Sequence, residues 1–200
     1  MNEHRVTLSP IVTTILENRS IDVLDIRSIF DFTQSFIPFS LCIPESEPDF
    51  LVHVRKIFPH PRGILVIGNH ATIPQSIVDA IHQVGGHIVD YVNFHEWSDG
   101  GYPLLSIETM DIEDILEGSS IFIDVRTKLE WENKNIRGSI HIPLSEIRDI
   151  AKTMEPTTTY VTYCAGVYRG LNGAALMRSQ GLTVRYLVNG LNAWYNNHSK

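Results

Sequence analysis

One residue in this chain stands where a thiol can react. Cys164 opens the stretch Cys164-Ala165-Gly166-Val167-Tyr168-Arg169-Gly170, which joins an apolar run to a helical pattern. A thiol at such a junction faces the backbone N–H groups of a tight loop and the positive end of a helix dipole. Both favour the thiolate, the nucleophilic form of cysteine. Arg169, five positions on, adds a fixed positive charge and a forked donor suited to an anion. Gly166 and Gly170 allow the loop backbone conformations that a Cβ would forbid. The competing reading of Cys164 is a small buried hydrophobe, the ordinary fate of a free cysteine. The other cysteine, Cys42, sits between Leu41 and Ile43 in an apolar stretch and reads as packing.

The elements that must position this loop alternate between strand and helix. Ile121-Phe122-Ile123-Asp124-Val125 is a short apolar run that suits a strand buried on both faces, and residues 160–163 form another. Residues 170–180 place Leu171, Ala174, Ala175 and Arg178 at helical spacing, with Gly181 as the stop. Residues 183–187 read as a third strand. Such alternation predicts an α/β fold with parallel strands and crossover helices, whose chemistry sits where strands end and helices begin.

The chain also repeats itself. Asp25-Ile26-Arg27 returns as Asp124-Val125-Arg126, and Ser40-Leu41-Cys42-Ile43-Pro44 as Ser139-Ile140-His141-Ile142-Pro143, both at an offset of 99. Ile15-Leu16-Glu17 returns as Ile115-Leu116-Glu117 at 100, Ile64-Leu65-Val66-Ile67 aligns with Tyr160-Val161-Thr162-Tyr163 at 96, and Trp97 with Trp194 at 97. The order never breaks, which predicts two copies of one small domain, residues 1–101 and 102–200, joined through the turn-rich stretch Ser98-Asp99-Gly100-Gly101-Tyr102-Pro103. At the offset of 96, Cys164 corresponds to Gly68, in the loop Gly68-Asn69-His70-Ala71-Thr72-Ile73, which has neither thiol nor arginine. The scaffold therefore does not require a cysteine there, which weakens the packing explanation. Because Asp124 and Arg126 recur in the thiol-free copy as Asp25 and Arg27, they read first as a structural pair, with Arg126 near enough to the loop to be a candidate substrate contact.

Composition narrows the function classes. A formal net charge of −7 argues against a nucleic-acid binder, which needs a basic face. No apolar run approaches the roughly 18 residues a membrane span requires, and residues 1–10 lack the apolar core of a secretory signal. Two cysteines make no disulfide framework and fit a reducing, cytoplasmic setting. No metal or other cofactor is expected. His95-Glu96 opens like a zinc-protease helix, but position 99 is aspartate, and the two cysteines share no metal-ligand spacing.

The segments Ile123-Asp124-Val125-Arg126, Glu130-Trp131, Ile136-Arg137-Gly138-Ser139-Ile140-His141-Ile142-Pro143-Leu144, Cys164 to Arg169, and Val188-Asn189-Gly190-Leu191-Asn192-Ala193-Trp194 together resemble the rhodanese (sulfurtransferase) domain. The first copy resembles a degenerate rhodanese domain that has lost its nucleophile. The resemblance implies two domains, each a small, mainly parallel sheet flanked by helices. It also implies that Cys164 carries sulfur as a persulfide while Ala165, Gly166, Val167, Tyr168 and Arg169 cradle the substrate. Four residues separate Cys164 from Arg169, whereas phosphatases of the same fold have five, so the loop suits a sulfane sulfur better than a phosphate. The sequence departs from the family pattern in three places: glycine falls two after the cysteine instead of three, Lys134-Asn135-Ile136 replaces the usual Gly-His-Ile, and Arg137 replaces a proline. The loop carries one arginine and no lysine, less charge than thiosulfate-preferring members, so persulfide and mercaptopyruvate-type donors stand beside thiosulfate. The expected activity is transfer of that sulfur to an acceptor such as cyanide or a small-molecule or protein thiol, with no nucleic-acid or membrane partner. The alternatives are a non-catalytic persulfide or redox sensor or interaction module, and a phosphatase or arsenate reductase of the same fold.

Overall fold

The computed structural model describes residues 21–114 and 120–198. The Ile15-Leu16-Glu17 and Ile115-Leu116-Glu117 match and the amino-terminal stretch 1–10 lie outside these residues. In chain order the first elements are β1 (Asp22–Asp25), α1 (Ile29–Gln34), β2 (Leu41–Cys42), α2 (Phe50–Ile57), β3 (Gly63–Gly68), α3 (Gln75–Gln83), β4 (His87–Asn93) and α4 (Phe94–Asp99). They are followed by β5 (Glu108–Met110), β6 (Ile121–Asp124), α5 (Lys128–Asn133), β7 (Ile140–His141), α6 (Leu144–Ile150), β8 (Thr159–Tyr163), α7 (Tyr168–Ser179), β9 (Thr183–Leu187) and α8 (Gly190–His198). By contact the chain divides into two compact units, one built of residues up to 29 with 43–104, the other of 30–42 with 105 onward. Residues 30–42 thus pack with the carboxy-terminal unit although they precede most of the first.

In the first unit, β1 and β4 flank β3 in parallel, with Asp22 opposite Ile64 and Gly63 opposite His87. The apolar run of β3 is buried from Ile64 to Gly68, as a strand covered on both faces must be. The second unit holds a five-stranded parallel sheet in the order β5-β9-β8-β6-β7. The strands expected at 160–163 and 183–187 are there. β6 differs from the expectation: Ile121 is exposed at the rim, and full burial begins only at Ile123.

Just past β1 and β6, the same buried ion pair closes the turn. Arg27 donates from its backbone N–H and its Nε to Asp25 Oδ1, each at 3.0 Å, and from Nη2 to Oδ2 at 2.7 Å. Arg126 treats Asp124 in the same way, at 3.0, 2.9 and 2.7 Å. Both aspartates are fully buried. A buried carboxylate is tolerable only when its lone pairs are satisfied, and the adjacent arginine meets that need within one turn of chain.

Helix α7 departs most from a surface helix. It begins at Tyr168, two residues earlier than its spacing suggests, and every residue from Gly170 to Met177 is buried. Small residues make that possible. A Cβ on Gly173 would lie 2.9 Å from Val125 Cγ1. The polar member of this run, Asn172, is satisfied by backbone: it accepts from the Cys42 N–H at 2.6 Å and donates to the Cys42 carbonyl at 3.0 Å. Cys42 is buried and reduced, and its backbone is what the fold uses. Replacing Asn172 by alanine removes both bonds from a buried site. The expected loss is roughly 1–3 kcal/mol of unfolding free energy, measurable by urea denaturation; an unchanged midpoint would show that the clamp contributes nothing.

Candidate functional site

Strand β8 runs apolar and buried to Tyr163, and the next residue is Cys164. Two helix starts close on its backbone. A Cβ on Gly170 would lie 3.1 Å from the Cys164 nitrogen, and one on Gly190 would lie 2.2 Å from the Cys164 carbonyl oxygen. Asn189 and Gly190 both adopt the left-handed region, at φ 57° and 48°, and so turn the chain out of β9 onto the loop. Leu191 then donates to the Cys164 carbonyl at 2.9 Å and Asn192 to the Ala165 carbonyl at 3.2 Å. The carbonyl side of the loop is pinned by α8, which leaves its N–H side to face the sulfur.

That N–H side is supplied by the start of α7. The first N–H to bond within the helix belongs to Leu171, which donates to Val167, so the preceding N–H groups have no helical acceptor. The backbone N–H groups of Gly166, Arg169 and Gly170 are directed at the thiol and stabilise its anion, as does the charge of Arg169. The expectation of a ready thiolate is nonetheless corrected. Cys164 is only 3% exposed, and burial, the largest influence, pushes its thiol above the usual range despite these donors. The glycine argument is corrected too. Gly166 has open space where a Cβ would sit and no left-handed φ, and Gly170 is required for close approach, not for its φ.

Two predicted substrate contacts are committed elsewhere. The Arg126 fork is turned inward to Asp124, and its Nη2 also donates to the Lys134 carbonyl, so it reads as structural. Arg169 does lie beside the loop, but it is paired: Nη1 donates to Glu130 Oε2 at 2.6 Å and Nη2 to Oε1 at 2.7 Å. Glu130 is the residue the sequence reasoning missed. It is the third residue of α5, where it accepts from the Thr127 N–H at 3.1 Å and Oγ at 2.8 Å while Thr127 caps the helix. Arg169 above all, with this cap, lowers the Glu130 carboxyl to about 2. The signal was present in the sequence as Thr127-Lys128-Leu129-Glu130, a capping box. The remaining predicted residues, Ala165, Gly166, Val167 and Tyr168, are half-buried around the thiol. His141 bonds the Arg126 carbonyl at 2.8 Å and stacks on Trp131.

A crevice of about 420 Å³ adjoins the loop where β5 and β9 end, lined by Asp111, Glu113, Asn189 and Asn192 among others. Among the described residues no cluster of histidine, cysteine or carboxylate side chains could hold a metal ion, and no helix is long and apolar enough to cross a membrane. In the first unit, at the position matching Cys164, a Cβ on Gly68 would meet Tyr91 Oη at 2.9 Å, and that hydroxyl donates to the His70 carbonyl.

Comparison with known proteins bears on the second unit. A thiosulfate sulfurtransferase from Pseudomonas aeruginosa aligns with 94% of the chain at 20% identity and a TM-score of 0.41, and the aligned region spans 41% of that protein's length. A rhodanese-related protein from Thermoplasma volcanium is 26% identical over 45% of the chain and 92% of its own length, with a TM-score of 0.43. A human single-domain sulfurtransferase is 25% identical over 46% and 97%, with a TM-score of 0.41. A search of curated proteins returns no match. Residues 109–197 match the rhodanese-like domain family, and the loop, the thiol and both helix starts that hold it lie within the matched stretch.

Proposed function

We propose that this domain is a sulfurtransferase whose nucleophile is Cys164, and that residues 1–101 are a copy of the same domain without one. The observation that supports it best is the convergence of three N–H groups on one buried thiol at a helix start inside a rhodanese-like domain. The Cys164 thiolate attacks the outer sulfur of a donor R–S–SH; the new S–S bond forms at Cys164 as the donor's own S–S bond breaks. The electron pair leaves on R–S⁻, which takes up the proton the Cys164 thiol gave up. The persulfide on Cys164 then passes its outer sulfur to an acceptor thiolate and the Cys164 thiolate returns. The N–H groups act on developing negative charge as an oxyanion hole does. A reducing compartment supplies both thiol partners.

The donor we propose carries little charge. Arg169, the cation at the loop, is neutralised by Glu130, and the adjoining crevice presents Asp111 and Glu113. A thiosulfate dianion would find no open guanidinium fork, whereas a thiol persulfide needs none. The 3% exposure of Cys164 favours a second reading, a persulfide sensor that is modified once and does not turn over.

Treatment with glutathione persulfide followed by intact-mass measurement should add one sulfur to the wild type and none to Cys164→Ser; equal labelling would remove the assignment. Continued production of acceptor persulfide over many turnovers would separate the enzyme from the sensor. Because burial raises the folded thiol, formation of the persulfide should keep accelerating as pH climbs past about 8.5, the ordinary cysteine value, and a rate that levels off near neutrality would contradict this. Glu130→Gln frees Arg169 and should increase thiosulfate use about tenfold relative to persulfide use, roughly the effect of one unit of charge interaction at such a site. An unchanged donor ratio would mean that Glu130 does not set it.

A further inference from the structure

One phenol hydroxyl of β9 is buried under α7. Tyr186 lies on β9 in register with Thr162 on β8, so the two side chains share a face of the sheet. That face is the one under α7, because Thr162 Oγ1 donates to the Gly170 carbonyl at 2.8 Å. Cys164 follows Thr162 by two residues and continues the same face as β8 ends. Tyr186 is 2% exposed, yet among the described residues its hydroxyl has no hydrogen-bond partner. Buried phenols nearly always find one. Its charge would be felt by the Cys164 thiol and the Tyr168 phenol, and the backbone N–H of Asn189 lies toward it. The last is a donor and falls short of hydrogen-bond geometry, so the phenol hydrogen is left without an acceptor.

We propose that the Tyr186 hydroxyl donates a hydrogen bond to the reacting sulfur of Cys164, from the sheet side, alongside the N–H groups of Gly166, Arg169 and Gly170. An anionic sulfur is the one acceptor in that space that appears only during reaction, so the bond forms when charge develops and not in the resting thiol. A donor idle in the ground state and engaged in the charged state contributes selectively to the transition state. Burial holds the phenol well above its ordinary range, so it remains protonated and able to donate wherever the enzyme works. The charged groups around this sulfur are Arg169 from α7 and, through Arg169, Glu130 from α5; neither is altered by changing Tyr186.

The inference shares its nucleophile with the sulfur-transfer reading, but its test does not need turnover. Tyr186→Phe removes the hydroxyl alone. The thiolate ultraviolet absorbance of Cys164, taken as the difference between each protein and the same protein carrying Cys164→Ser, should titrate about one pH unit higher in Tyr186→Phe, a tenfold lower thiolate fraction below the midpoint. The urea midpoint should be unchanged or raised, because the variant no longer buries an unpaired hydroxyl. Superimposable titration curves would overturn the proposal, and so would a clear loss of stability, which would mean that the hydroxyl already holds a structural bond. A shifted titration in a protein that accepts no sulfur from any donor would uphold the Tyr186 contact and defeat the sulfur-transfer reading instead.

Discussion

Everything at the site follows from how tightly backbone is packed around Cys164. Gly170 and Gly190 stand so close that no side chain fits at either position, and between them they fix the nitrogen and the carbonyl of one residue. With the carbonyl held by Leu191, the loop cannot rotate to offer its oxygens to the sulfur. A negative sulfur therefore meets donors. The polarity of the pocket is set chiefly by main chain, with Arg169 adding a charge that Glu130 offsets, which is why it tolerates a loop with so little net charge.

The same tightness has an electrostatic cost. A thiol enclosed this well loses solvation, and three N–H groups and one arginine do not restore it. Enclosure and activation thus oppose each other at Cys164. Preorganised donors act most strongly where water is excluded, so the setting that disfavours the resting anion also strengthens each contact made to charge that would develop in the proposed transfer. The Glu130–Arg169 pair moderates the balance by keeping a cation near the loop while cancelling much of its field.

The sequence made the scaffold legible where period and burial agree. The runs that became β3, β8 and β9 are apolar, short and bounded by turn residues, so their type and limits follow from composition. The start of α7 was misplaced because Tyr168 and Arg169 carry no apolar periodicity; their helical state comes from the docking of Gly170, a tertiary fact. Cys164 was legible as the nucleophile candidate because it follows a buried strand and opens a loop into a helix, and because the corresponding loop after Ile67 has no thiol. Its burial was not, since that depends on α8 folding back from residues near 190. Arg169 was read as a free cation because its partner lies 39 residues away, and only the capping pattern around Thr127 hinted at Glu130. The association of residues 30–42 with the second unit has no sequence signal; it includes Asn172 reaching the backbone of Cys42 and the paired backbone of Phe36 and Leu105.

The glycine at position 68 deserves a different kind of reading from the cysteine it matches. Its neighbourhood is already taken by the Tyr91 phenol, which is tied to the His70 carbonyl. A side chain at position 68 would press on that phenol and on Ile26, so a larger residue there requires the end of the Tyr91 ring to shift. The space beside the end of β3 is thus filled by a side chain from β4, and any enlargement at position 68 has to displace it.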